Sequence, residues 1–132
     1  MAEPIDGSAI LDPDQASAYL QRWKGRVDRL AANTQEMSAR LGRLRATAGD
    51  GEGFVEVTVD STGVLVDATF TERIQRYGPE VTARALMRAI RAARRKAGEE
   101  ARAVVVETMG ADSPAGQAIT ARLLAEGDAH DG

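Results

Sequence analysis

From Leu20 onward, apolar residues return every three or four positions. Leu20, Val27, Thr34, Leu41 and Ala48 form one row, and Trp23, Leu30, Met37 and Leu44 form a second row three residues further on. This is a heptad pattern sustained over about four repeats, so the spacing predicts a long helix. Its start is marked by Asp12 as N-cap, Pro13 at the first helical position and Gln15 three after the cap. A helix from there to about Leu44 is about 46 Å long, longer than a small domain is wide. Its far end is therefore expected to pack on another subunit. The alternative is packing within the chain along its whole length. The seam flanks carry Lys24, Arg26, Arg40 and Arg45 and no acid. Two copies in register would oppose like charges, so part of the seam is expected to pack on a second helix of the same chain.

The period then changes. The cluster AGDGEG is a flexible link. FVEVTV alternates, with Val55, Val57 and Val59 on one face, and VLVDATF does the same with Val64, Val66, Ala68 and Phe70. DSTG between them is a turn signal, so the segment predicts a β-hairpin. Arg45–Ala48 is a candidate for a third strand. At YGPE, Gly78 and Pro79 open a second long helix, with Glu80 suited to its positive end, running to about Met109. A shorter third helix is predicted from Ser113–Pro114 to about Ala125. The fold class is α+β: long helix, two- to three-stranded antiparallel sheet, second long helix, short C-terminal helix. The chain divides into an acidic extension over 1–12, a main domain over 13–109 and a C-terminal helix with an acidic tail over 110–132.

Charge changes this picture. The net charge is −3. Residues 20–104 nevertheless carry 16 Lys/Arg against 11 Asp/Glu, while the flanks hold one Arg and nine acids. A basic middle between acidic ends suggests an anionic partner, or tails that shield the basic surface. The excess concentrates in RALMRAIRAARRKA, which has six basic residues and no acid. At 100° per residue, Arg84, Arg88, Arg91, Arg95 and Arg102 fall within roughly 60° of one another. Leu86, Ile90, Ala93, Ala97 and Val104 fall on the opposite side, facing the hairpin and the first helix. The arginines thus form a stripe about 27 Å long that does not serve the core. A solvated face is one reading. Phosphate binding is the other: the stripe has no acid at i±4 until Glu80 and Glu99, and arginine suits bidentate phosphate contact.

Candidate chemistry is otherwise sparse. There is no cysteine, which removes disulfides and thiolate chemistry, and the only histidine, His130, lies in the tail DAHDG. GDGEG lacks the Lys-Ser/Thr ending of a phosphate loop. Adjacent acids such as Glu99 and Glu100 point apart on a helix, and no Ser/His/Asp or metal constellation can be assembled. No enzyme, cofactor or metal is expected. No apolar run reaches the 18 or so residues of a membrane span, and the acidic N-terminus lacks signal-peptide order, so a soluble cytoplasmic protein is expected.

The succession of long helix, ATAGDGEGFVEVTVDSTGVLVDATF and a helix containing AIRAARRKA resembles the YbaB/EbfC family of bacterial nucleoid-associated proteins, in particular its actinobacterial members. The resemblance covers about Tyr19 to Met109. It implies a homodimer with the sheet shared across subunits, helices projecting like tweezers, and non-enzymatic DNA binding in the nucleoid with weak sequence preference and a role in gene regulation. The residues expected to meet DNA are the stripe arginines together with Arg22, Lys24, Arg26, Arg29, Arg40 and Arg43. The dimer or core seam is Leu20, Trp23, Val27, Leu30, Met37, Leu41 and Leu44. The third helix and the acidic ends depart from the family pattern. They leave a second reading: a protein-interaction adaptor, for example beside a specialised secretion system, using the long helix and the C-terminal helix. Trp23-Lys24-Gly25 is a W-x-G as in helical-hairpin secretion proteins, but the heptads run straight through it, and Trp23 is expected in a buried seam.

Overall fold

The computed structural model describes residues 12–131. Residues 1–11 of the expected acidic extension and the side chain of His130 lie outside the described residues. Helix α1 spans Pro13–Arg43, β1 Ala46–Gly49, β2 Val55–Val59 and β3 Leu65–Phe70. A 3-10 turn over Glu72–Arg76 leads into α2, Pro79–Met109, and α3 covers Pro114–Asp131. The start of α1 follows its sequence signal: the Asp12 carboxylate accepts from the backbone N–H of Asp14 at 3.0 Å and of Gln15 at 3.4 Å.

The sheet is antiparallel in the order β1-β2-β3, with β2 in the middle. Val55, Val57 and Val59 are buried against α2, as their alternation requires. β3 departs from expectation. A register shift between Thr58 and Val59 sets Leu65 opposite Val59, Ala68 opposite Val57 and Phe70 opposite Val55. The bulge breaks the alternation, so Leu65 rather than Val64 or Val66 shares the face of Ala68 and Phe70. All six β3 residues are exposed, because α2 lies over β1 and β2. The hairpin turn is held by Asp60, whose carboxylate accepts from Thr62 N–H at 2.9 Å, Thr62 Oγ1 at 2.7 Å and Val64 N–H at 3.0 Å. Gly63 closes it with φ 86°, a conformation that a side chain would disfavour.

Helix α2 sits close to the sheet because its contact row is alanine. Ala85, Ala89, Ala93, Ala97 and Ala101 recur every fourth residue and are fully buried. Leu86, expected in the core row, is only half-buried, because the row turns toward Ala85 and Ala89. Two long basic side chains pin the helix from its edges. Arg94 Nε donates to Gly63 O at 2.9 Å and Lys96 Nζ to Thr47 O at 3.0 Å.

Helix α1 crosses α2 only near its own C-terminus. Met37 and Leu44 are buried there and Leu41 is half-buried. Thr34 lies beside Met109, and Arg40 Nη2 reaches Glu107 at 2.7 Å. The helices run antiparallel at this crossing, so the first half of α1 extends past the end of α2. Trp23 is therefore not buried by this chain: it is 53 % exposed, with Leu20 at 59 % and Leu30 at 52 %. Packing of the seam within one chain along its whole length is excluded. Helix α3 packs on α2 through Ile119 and Leu123. It continues to Asp131, past the expected end near Ala125. One interior glycine, Gly127, costs about 1 kcal/mol relative to alanine and does not stop it.

Candidate nucleic-acid interface

The stripe forms as the helical spacing requires. Arg84, Arg95 and Arg102 are exposed and Arg91 is half-exposed, on the side of α2 away from the alanine row. Arg84, Arg88 and Arg91 with Ala83 and Met87 line an open cavity of about 420 Å³. Among the described residues, Arg84, Arg91, Arg95 and Arg102 make no ion pair. Their charge faces outward at one to two turns' spacing along the helix, with acids four residues away only at Glu80, beside Arg84, and Glu99, beside Arg95.

Arg88 behaves differently. Its Nη2 lies 3.9 Å from Asp50 Oδ2 and 3.7 Å from Glu52 Oε2. A search for acids along the same helix cannot find these, because they come from the β1–β2 link. Asp50 organises that link. Its side chain is fully buried and accepts from the backbone N–H of Phe54 at 2.9 Å, Val55 at 3.1 Å and Glu52 at 3.3 Å. AGDGEG is thus an anchored turn rather than a flexible link. Arg73 donates to the Glu52 carbonyl and lies over the Phe54 ring, so a second arginine closes the same turn.

Burial works to raise the Asp50 carboxyl, and the N–H groups of Val55, Phe54 and Glu52 outweigh it, holding the group below its usual range. Asp60 is lowered in the same way: burial opposes ionisation and the hydrogen bonds from Thr62 and Val64 prevail. Both native values are depressed. Their contribution to stability is therefore full above about pH 4, the ordinary value, and is lost as pH falls through the lower native values. Asp50→Asn is expected to cost about 1–3 kcal/mol at pH 7 and to shrink the loss of stability between pH 5 and pH 2. Urea midpoints across that range check both.

The basic residues of α1 do not join the stripe within one chain. Arg22, Arg26 and Arg29 share an exposed face, with Lys24 on the other flank of the apolar seam. They lie past the α1–α2 crossing on one side, and Arg84–Arg95 lie past it on the other. Arg40, at the crossing, is engaged by Glu107 and by Glu36 at 3.7 Å. Arg43 is exposed beside it and lines a cavity with Glu100 and Val104.

Among the described residues, no group of three or more acids and histidines is placed to hold a metal ion. Among the described residues, no helix is long and apolar enough to cross a membrane. The arrangement is that of a small α+β domain presenting a basic helix face. The chain belongs to the YbaB/EbfC DNA-binding family, whose model matches residues 18–111. The family comprises DNA-binding, nucleoid-associated proteins. No curated protein and no solved structure matches the chain. The matched span takes in α1 from Ala18, the sheet and all of α2, and leaves α3 outside.

Proposed function

We propose that the protein binds DNA non-enzymatically as a homodimer in the nucleoid, mainly through phosphates and with weak sequence preference. The observation that carries this is the outward row of Arg84, Arg91, Arg95 and Arg102 in a member of a DNA-binding family. A convex helix face of guanidinium groups offers charge and bidentate donors to phosphates, which position a protein on DNA without reading bases. Arg88 adds to the same face while tied to the Asp50 turn.

The unsatisfied surface of β3 supports the dimer. Leu65 and Phe70 are each 41 % exposed on the face that β2 buries beneath α2. β3 is also an edge strand among the described residues, and the outer backbone row of an edge strand is a natural place for pairing with a second copy. Pairing two subunits there doubles the number of arginines one duplex can meet. Val66→Lys, on the edge strand, is expected to shift the dimer to monomer in sedimentation analysis and to weaken binding to a random duplex about tenfold or more. A monomeric parent, or a monomeric variant with parental DNA affinity, contradicts the proposal.

A further inference from the structure

We propose that the uncovered half of the α1 seam is a docking surface for an acidic amphipathic helix of another protein. Leu20, Trp23, Val27 and Leu30 line one face of α1 beyond the crossing and are all 44 % exposed or more. They continue, in the same heptad register, the row that buries Met37 and Leu44 against α2. One seam is thus half filled by a helix of this chain and half open. A contiguous apolar stripe on a projecting helix marks a helix-binding surface.

The filled half shows what chemistry fits the open half. Arg40 flanks the seam, and the helix that covers it answers with Glu107, whose carboxylate lies 2.7 Å from the guanidinium. Arg26 stands two heptads earlier, at the equivalent flanking position, and Lys24 stands on the opposite flank. Neither makes an ion pair among the described residues. A helix laid along Leu20–Leu30 therefore meets apolar knobs in the middle and cations on both edges. It fits with leucine-like residues at the contact positions and acids beside them.

Two other occupants fit less well. A second copy of α1 brings its own Lys24 and Arg26 and no acid at a flanking position between Tyr19 and Asn33, so it leaves these charges unanswered. DNA would leave the apolar row in water. The docking surface also stands apart from the arginine stripe, on the other side of the α1–α2 crossing, so the two proposals can fail separately.

The chain has one tryptophan, and it lies in the middle of this surface. The full-length protein is titrated with a designed helix of about three heptads carrying Leu at the contact positions and Glu beside them. A matched peptide carries Lys in place of Glu. Trp23 emission is expected to shift to the blue and saturate with the Glu peptide, with binding at least tenfold tighter than to the Lys peptide. Lys24→Glu/Arg26→Glu is expected to reverse the order, while circular dichroism stays parental. Equal binding of both peptides, or binding of neither, overturns the proposal. So does a blue shift on concentrating the protein alone, which would mean that a second copy covers Trp23.

Discussion

Arg91→Glu/Arg95→Glu is expected to bind a random-sequence duplex at least tenfold more weakly than the parent at about 100 mM salt, with the loss equal across unrelated sequences. Each arginine that neutralises a phosphate contributes about 0.9 to the slope of log affinity against log salt. The slope should therefore fall by about two per engaged subunit. The pair is chosen because both side chains lie on the outer face of α2 and neither has a partner among the described residues. Melting temperature should stay near the parental value, since surface changes away from buried partners are usually small. Arg88 would be a poor choice. A glutamate there would face Asp50 and Glu52, and the variant would lose stability as well as charge. A smaller loss that depends on sequence would instead point to base contacts.

The second large effect is on the fold. Ala93→Leu is expected to destabilise the protein by about 1–3 kcal/mol and to lower its melting temperature by roughly 5–10 °C. Ala93 is 0 % exposed and sits mid-row between Ala89 and Ala97. The strands beneath present Val57 and Val59, among the most deeply buried side chains of the chain. An isobutyl group at position 93 must displace close-packed neighbours, so the helix lifts or neighbouring rotamers strain. Ala103→Leu, on the exposed side of the same helix, should change stability by less than about 0.5 kcal/mol. Thermal melts of the two variants separate packing from helix propensity.

The elements themselves were legible because their signals are local. Asp12 and Pro13 start α1, Gly78 and Pro79 start α2, and the alternating valines mark β2, each where the sequence places it. The arginine stripe was equally legible, since helical spacing alone assigns faces. What failed involved contacts between distant segments. The bulge that brings Leu65 onto the Phe70 face depends on how two strands meet. The pairing of Arg88 with Asp50 and Glu52 spans the sheet and α2. The heptad rows showed that α1 has a seam, but not where the seam leaves its cover. That boundary is set by the end of α2 at Met109 and the point where the two helices cross. The crossing also sets the α1 arginines apart from the stripe, a separation that spacing along the chain does not encode.

The most direct test is the fluorescence anisotropy of a labelled random-sequence duplex titrated with the full-length protein between about 50 and 200 mM salt. Phosphate contact by the arginine face predicts a linear log–log plot and a fall in affinity of a hundredfold or more, as expected for four or more phosphates neutralised. No binding at 50 mM, or binding that salt leaves unchanged, would contradict the DNA-binding role proposed for α2.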